Sequence, residues 1–287
     1  MLVLVGIVVV LGSVFGGFLV EGGNFKVLIQ PAELLIIAGA AAGAFLISNP
    51  KQVIGKVGKA ISHLLKGPRY GKESYLELLS LLYQIFKIAK TKGMLSLEQH
   101  VENPGDSTLF QQFPKFCADK AALTFLCDYL RLLTLGTDKA HEIEALIDEE
   151  IETHHHEHAQ VATALQTSAD GMPALGIVAA VLGVINTMGS INQPPAILGH
   201  LIAAALVGTF LGVLLSYGFV GPIGHGLGAI YDAELKYFHC IKAGLLAHMQ
   251  GYAPAISVEF ARKALLSNVR PTFYEVEEAT AALPPAA

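Results

Sequence analysis

The residues with the most obvious capacity for chemistry are the four histidines of THHHEH, residues 153–158. His154 and His158 are four positions apart, so on a helix they share one face, as two zinc ligands would. A zinc site needs a third and usually a fourth ligand, and no matching Cys or His pair accompanies them. We therefore interpret the segment as an exposed part of a charged helix.

Other chemical signatures are missing from the sequence. It contains no nucleophile elbow, P-loop or dinucleotide fingerprint, so we expect no catalytic residues, no metal site, no cofactor and no enzymatic activity. The three cysteines have no metal-binding or disulfide spacing, and we expect them to be buried, reduced thiols. They are Cys117, Cys127 and Cys240.

The most unusual feature is a run of sixty-one residues, 171–231, without a single Asp, Glu, Lys or Arg. Across the chain 53% of residues are hydrophobic and 15% are charged, with a mean hydropathy of +0.51. A soluble domain carries roughly 25% charged residues. The net charge of −5 without a basic stripe argues against a nucleic-acid-binding surface. The composition therefore indicates a membrane protein.

Four stretches are long and apolar enough to cross a bilayer as helices. They are predicted at about 2–20, 32–48, 172–191 and 197–220, and NQPP at 192–195 provides a turn between the last two. We predict an all-α membrane protein with four transmembrane helices and a helical cytoplasmic domain. The expected divisions are a transmembrane hairpin (1–50), a cytoplasmic domain (51–168), a second hairpin (169–222) and a cytoplasmic tail (223–287).

Lysine and arginine near the ends of the spans predict the orientation. Of nineteen basic residues, thirteen lie in 51–170 and five lie after 222. The short connector 21–31 contains only Lys26, and the turn between the last two spans contains none. We therefore expect a multi-pass protein with the middle segment, the tail and both termini in the cytoplasm.

The middle segment and the tail have the three- and four-residue hydrophobic spacing of amphipathic helices. We predict helices over 73–93, over 118–136 with a stop at Gly136, over 140–171 and over 232–250. In the first of these helices the apolar face is expected to contain Leu76, Leu79, Leu82, Ile85, Phe86 and Ala89.

Acidic residues, which usually mark ion pathways in membranes, do not occur in the third and fourth spans. Glu33 lies near the external end of the second span. If the protein conducts an ion, another chain must therefore supply the carboxylate. The alternative is that the spans only anchor the cytoplasmic part. Small residues four positions apart predict close helix packing, and they occur as Gly12/Gly16, Gly39/Gly43 and Gly208/Gly212/Ser216.

Two prolines stand at the cytoplasmic ends of the last two spans, Pro173 in the third and Pro222 in the fourth. Proline is tolerated in the first turn of a helix but kinks or breaks a helix interior, because it lacks an N–H and its ring clashes with the preceding turn. By position alone, Pro173 would start a helix and Pro222 would end one.

Several segments resemble the MotA family of flagellar motor stator subunits, within the MotA/TolQ/ExbB proton-channel superfamily. They include MPALGIVAAVLGVINTMGS, GTFLGVLLSYGFVGPI, KTKGMLSLEQHVENP and GYAPAISVEFARKALLSNVRPTF. The resemblance covers nearly the whole chain and implies a proton-conducting stator subunit in the bacterial inner membrane. It also implies a MotB-like single-span partner with a membrane aspartate and a ring of five copies. Pro173 and Pro222 match two family prolines that shape the inner mouth of the channel and couple ion passage to movement.

The resemblance also bears on the transported ion. Sodium-type relatives have a threonine in the middle of the third span, where this chain has Ala180. Thr209 in the fourth span supplies one hydroxyl, whereas a dehydrated sodium ion needs several oxygen ligands. We therefore expect H⁺ to be the transported ion.

Family residues that contact the rotor protein FliG correspond to Lys90 and Glu98. Glu98 agrees with the family pattern, whereas Lys90 replaces an arginine and loses its planar, bidentate donor group. Lys87 and Lys92 are close enough in sequence to share the role. Two alternatives remain: a TolQ/ExbB-like proton-driven energiser of envelope processes, and a membrane scaffold that conducts nothing.

Overall fold

The computed structural model describes residues 2–137 and 139–284, and every regular element within them is helical. The helices are α1 (Leu2–Val20), α2 (Phe25–Leu28), α3 (Pro31–Ser48), α4 (Lys51–Lys66), α5 (Lys72–Lys92), α6 (Glu98–Glu102), α7 (Pro114–Ala118), α8 (Lys120–Thr134), α9 (Ala140–Met188), α10 (Pro195–Leu215), α11 (Gly221–Met249), α12 (Pro254–Lys263) and α13 (Phe273–Ala281). Short 3₁₀ turns occupy Met94–Leu97 and Phe110–Gln112, and Ser216–Val220 is π-helical. The predicted all-α class is confirmed.

The chain forms two compact units. The first contains the residues up to Gly67 and Glu157–Ile230, and the second contains Pro68–His156 and the residues from Tyr231 onward. The end of the predicted tail, residues 285–287, lies outside the described residues. Among the described residues, four helical stretches are long and apolar enough to cross a membrane, as predicted: Leu2–Val20, Phe25–Ser48, Ala140–Met188 and Pro195–Met249.

The third and fourth apolar stretches are parts of longer helices than the sequence predicts. α9 begins at Ala140 and continues without a break through Pro173 to Met188. The chain turns at NQPP as predicted, and helical structure then continues from Pro195 through the π-helical segment to Met249. By position alone, Pro173 would start a helix and Pro222 would end one. Both of these expectations are therefore wrong.

The second unit has a single hydrophobic core, to which α5, α8, α11 and α12 contribute. Five of the six residues predicted on the apolar face of α5 are buried, and Leu76 packs against the core while partly exposed. α8 ends at Thr134, and Gly136 follows with a φ of +93°, which glycine adopts without strain. The predicted helix stop at Gly136 is therefore confirmed.

The cysteines differ in burial. Cys127 and Cys240 are buried as predicted, and desolvation raises the pKa of the Cys127 thiol to about 12, so it stays protonated and unreactive. Cys117 is only half-buried, because it lies near the end of the five-residue helix α7. Its Sγ–H donates to the carbonyl oxygen of Phe110 at 3.0 Å.

The C-terminal helix α13 begins with a capping box. The side chain of Thr272 accepts a hydrogen bond from the Glu275 N–H, and the Glu275 carboxylate accepts one from the Thr272 N–H. Glu275 also pairs with Lys72 in the first turn of α5, at 2.7 Å. The ion pair is exposed, so it adds little stability, but it links the two ends of the second unit's sequence.

Candidate functional site

Helices α9 and α10 pack with their backbones in contact, and glycine makes this possible. A Cβ atom on Gly176 would lie 2.8 Å from the carbonyl oxygen of Gly208. A Cβ atom on Gly212 would lie 2.7 Å from the carbonyl oxygen of Met172. These distances are shorter than real Cβ contacts, so a side chain at either glycine would push the helices apart.

The two residues that the sequence singled out for ion selectivity, Ala180 and Thr209, both lie at this crossing. A Cβ on Gly208 would lie 3.2 Å from the backbone nitrogen of Ala180, and a Cβ on Gly176 would lie 3.3 Å from the Cα of Thr209. Ala180 and Thr209 are both partly exposed. The structure therefore places the small methyl group and the single hydroxyl of this site on neighbouring turns of the two helices.

The small-residue spacing predicts this packing only in part. The close contact of Gly208 and Gly212 is confirmed, but the matching face of α9 was not recognised from the sequence. Its signal is the small-residue series Gly176, Ala179, Ala180 and Gly183. For the other predicted glycines, a Cβ atom would have no described heavy atom within 4 Å outside the glycine's own stretch of helix: Gly12, Gly16, Gly39 and Gly43.

Pro173 lies within α9, one turn before Gly176, and is half-buried. Proline has no N–H to donate to the carbonyl of Ala169, four residues earlier, so one rung of the helical ladder is absent there. The carbonyl of the adjacent Met172 faces Gly212 across the crossing. The interruption therefore lies beside one of the closest contacts between α9 and α10.

Pro222 is exposed and lies two positions after Val220, the last residue of the π-helical segment. The N–H of Gly221 donates to the carbonyl of Ser216, five residues earlier, instead of to the residue four earlier. Because Pro222 cannot continue the i to i−4 pattern, a shift of the ladder by one residue keeps the helix going. π-helical turns of this kind occur frequently at functional sites.

Ser216 is a further functional candidate, although the sequence predicts for it only a packing role. Its side chain is fully buried at the start of the π-helical segment. Its hydroxyl has no hydrogen-bond partner among residues 2–137 and 139–284. The sequence signal that could have found it is the Gly221–Pro222 pair, which lies five residues downstream.

Acidic side chains are scarce in this part of the molecule. Within 171–231 there is none, and Glu33 lies in the first turn of α3, where the positive end of the helix dipole favours a carboxylate. One carboxyl oxygen of Glu33 is buried without a hydrogen-bond partner among the described residues. Neither α9 beyond Asp170 nor α10 supplies a carboxylate that could carry a proton past the crossing.

A charged loop lies in the second unit. Lys90 is in the last turn of α5, Glu98 begins α6, and both are exposed. Gly93, with a φ of +88°, ends α5, and the 3₁₀ turn Met94–Leu97 leads into α6. The structure thus places the two predicted rotor-contact residues at opposite ends of one short connection. The Nζ of nearby Lys87 lies 5.9 Å from the ring centre of Tyr83.

The histidine segment lies within α9. The ring of His154 is 4.9 Å from the ring of Phe238, between centres, so this side chain packs against an aromatic group. Among the described residues, no group of three or more His, Cys, Asp or Glu side chains is arranged to hold a metal ion.

Comparison with protein families gives two matches. The family described as "Motility protein A N-terminal" matches residues 4–93, and the "MotA/TolQ/ExbB proton channel family" matches residues 119–239. The second match includes the whole α9–α10 crossing and both prolines. The class of protein is therefore a membrane protein related to proton channels.

Similarity to individual proteins identifies the family within this class. Motility protein A of Escherichia coli K12 is 48% identical over 278 residues, which cover 97% of this chain and 94% of the relative. Chemotaxis protein LafT of Vibrio parahaemolyticus is 35% identical over 95% of this chain and 96% of the relative. The chain therefore belongs to the Motility protein A family, and the resemblance found in the sequence is confirmed.

Solved structures agree with this assignment. The C. jejuni MotAB structure matches 94% of this chain and 98% of its own with a TM-score of 0.77, and at 21% identity it supports the fold alone. The flagellar MotAB stator complex from Bacillus subtilis matches 96% of this chain and 98% of its own, with a TM-score of 0.70 and 26% identity.

Proposed function

We propose that this chain forms the channel wall of a flagellar stator and couples the flow of protons across the membrane to torque on the rotor. The observation that carries the proposal is the close, uncharged crossing of α9 and α10, with Pro173 at its end and Pro222 after the π-helical segment. Small residues allow two helices to slide or tilt against each other, and the two prolines supply points where the backbone ladder changes.

The titrating group in this proposal belongs to a partner. A proton path needs a group that binds and releases H⁺, and this part of the chain offers no carboxylate beyond Asp170. We assign that role to a membrane aspartate on a MotB-like single-span subunit. Two solved relatives are described as MotAB complexes, which supports such a partner.

The energy available is sufficient for a conformational step. One elementary charge that crosses the membrane releases about 2.3 kcal/mol per 100 mV. Two packings of one protein commonly differ by a few kcal/mol. Protonation of the partner's aspartate can therefore shift the crossing between two arrangements.

Protons are the proposed ion, because Ala180 and Thr209 together offer one side-chain oxygen where sodium would need several. The measurement is swimming speed at fixed pH in media with graded sodium, with potassium replacing sodium at constant ionic strength. Speed should stay constant. Speed that rises with external sodium would contradict the assignment.

For the rotor contact, we assign Lys90 and Glu98 to the charged surface of FliG, since both are exposed on one loop. We also place the protein in the inner membrane with both termini cytoplasmic, which the distribution of lysine and arginine supports.

We further propose an assembly of five copies. In such an assembly the apolar surfaces of α1 and α3 would contact neighbouring copies, and there is open space for this contact beside Gly12, Gly16, Gly39 and Gly43.

The alternative is a TolQ/ExbB-like energiser of envelope processes. The motility and chemotaxis names of the similar proteins favour the flagellar function. The charged loop Lys90–Glu98 is consistent with it, because a rotor with charged groups would need a complementary charged surface outside the membrane.

Deletion of the gene tests the function. Cells without the protein should assemble normal filaments, seen by staining, but should not rotate them. Reintroduced wild-type protein should restore rotation, whereas Pro173→Ala at equal membrane level should not. Deleted cells that swim normally, or a Pro173→Ala variant that restores full speed, would refute the proposed role.

A further inference from the structure

A cavity of about 260 Å³ lies beside the charged loop. Its lining comes from the turn after α5, from the end of α8 and from the end of α11: Met94, Leu133, Gly136, Thr137, His248 and Met249. Gly93 and Gly136 both have positive φ values and end their helices here. The chain reversals at these glycines leave an open space between three helix ends.

The lining is chemically mixed. Two methionines and one leucine provide flexible apolar surface, and methionine adapts to groups of different shape. The ring of His248 stacks on Phe86, with centres 4.7 Å apart and planes 13° apart. Its Nδ1 is buried and has no hydrogen-bond partner among the described residues. An unpaired buried nitrogen is unfavourable, so a bound group that hydrogen-bonds to it would be stabilised.

The electrostatics connect this cavity to the loop. Desolvation and the ammonium of Lys90 both lower the pKa of His248, so its imidazole is neutral at cytoplasmic pH. Lys92 in the same turn of α5 similarly adds to the desolvation that lowers the pKa of His100. The rim therefore carries positive charge, whereas the lining is neutral.

Two leucines next to the lining residues are unusually exposed. Leu95 follows Met94 and is 71% exposed, and Leu135 precedes Gly136 and is 77% exposed. One exposed leucine is ordinary. Here each of two exposed leucines is next in sequence to a lining residue, so exposed apolar side chains accompany the lysines of α5, as in many protein-binding sites. We call this cavity with Leu95 and Leu135 the loop socket.

We propose that the loop socket receives one large, mostly apolar side chain with a hydrogen-bonding end, such as tyrosine, from an acidic helix of the rotor protein. This inference rests on the rotor contact proposed above and extends it. The lysines of α5 attract the acidic helix, but charge alone does not fix the position of that helix along its axis. Insertion of one side chain into the socket fixes this position. Adaptable methionines suit a contact that is made and broken at every step, because repacking is easy.

Site-specific photocrosslinking tests the proposal in swimming cells with the full stator complex. A benzophenone amino acid replaces Leu135, an exposed residue of the loop socket, Glu98 as a reference in the charged loop, or Thr153, an exposed residue of α9, as a control. We expect adducts with the rotor protein at 135 and 98 but not at 153. The adduct at 135 should map to the acidic helix of the rotor protein.

Filling the cavity supplies a second measurement. Thr137→Trp should weaken the rotor contact about tenfold, since burial of one large apolar side chain is worth at least that factor. Torque per stator, with stators counted by fluorescence at the motor, should fall strongly for Thr137→Trp and remain normal for Thr153→Trp.

The outcomes separate the two proposals. Adducts at 98 without any at 135, or full torque for Thr137→Trp, would overturn the socket and leave the charged rotor contact intact. An adduct at 135 with a second copy of this chain or with any other protein would also overturn the socket. Absence of rotor adducts at both 98 and 135 would refute the rotor contact itself.

Discussion

Replacement of Gly212 by alanine adds one methyl group at the closest point between α9 and α10. That methyl carbon would lie 2.7 Å from the carbonyl oxygen of Met172 and 2.9 Å from the Cα of Gly176. Ordinary contact begins at 3.4 Å, so the backbones must separate by about 0.7 Å. Both neighbours are backbone atoms, so no side-chain rotation relieves the clash.

The free energy of this change has two opposing parts. Overpacking costs about 1–3 kcal/mol, whereas alanine favours a helix over glycine by about 1 kcal/mol. Gly199→Ala is the matched control, because Gly199 lies on the same helix with nothing within 4 Å of its built Cβ. The control should keep the gain in helix propensity without the clash. The difference between the variants therefore isolates the packing cost.

Thermal unfolding of the purified complex in detergent measures that difference. Gly212→Ala should unfold at a temperature about 2–12 °C below Gly199→Ala, at roughly 2–4 °C per kcal/mol for a chain of this size. Rotation of tethered cells should also slow for Gly212→Ala alone. Equal unfolding temperatures would mean that α9 and α10 are not in backbone contact in the assembled protein, and the reasoning would fail.

Three further predictions concern other parts of the molecule. Pro222→Ala restores an N–H and should return residues 216–221 to α-helical bonding, measured as slower amide exchange, with loss of rotation at normal membrane levels. Glu98→Lys should slow swimming under viscous load without changing stator number. Lys72 and the Thr272 N–H lower the pKa of Glu275 from 4.5 to about 2. The docking of α13, followed by proteolysis, should weaken slightly as pH falls from 4.5 towards 2, whereas Glu275→Gln should lose this pH dependence.

The four apolar stretches could be predicted because length and the absence of charge are sufficient signals for a span. The full length of α9 could not. Its charged part and its apolar part both have helical periodicity, and the proline between them suggests a boundary. The structure adds what this local pattern does not contain: the carbonyl of Met172, next to Pro173, faces Gly212 of α10.

The residues of the candidate site also differ in how far the sequence predicts them. Lys90 and Glu98 came from the family resemblance, and no periodicity points to them, because exposed charges on a loop look alike in any sequence. The sequence does not predict the loop socket for a different reason. Its lining residues Met94, Thr137 and His248 come from three separate segments, and only the fold brings them together.

The π-helical segment shows what a proline in a span leaves undecided. A missing N–H can end a helix, kink it, or shift its hydrogen bonds by one residue. The third outcome brings the backbone of residue 221 close to the carbonyl oxygen of Ser216. Glycine suits this position, because a Cβ on Gly221 would lie only 3.0 Å from that oxygen. Glycine followed by proline is therefore a more specific signal than proline alone. The same argument predicts that Gly221→Ala, like Pro222→Ala, changes this segment, through crowding instead of a restored hydrogen bond.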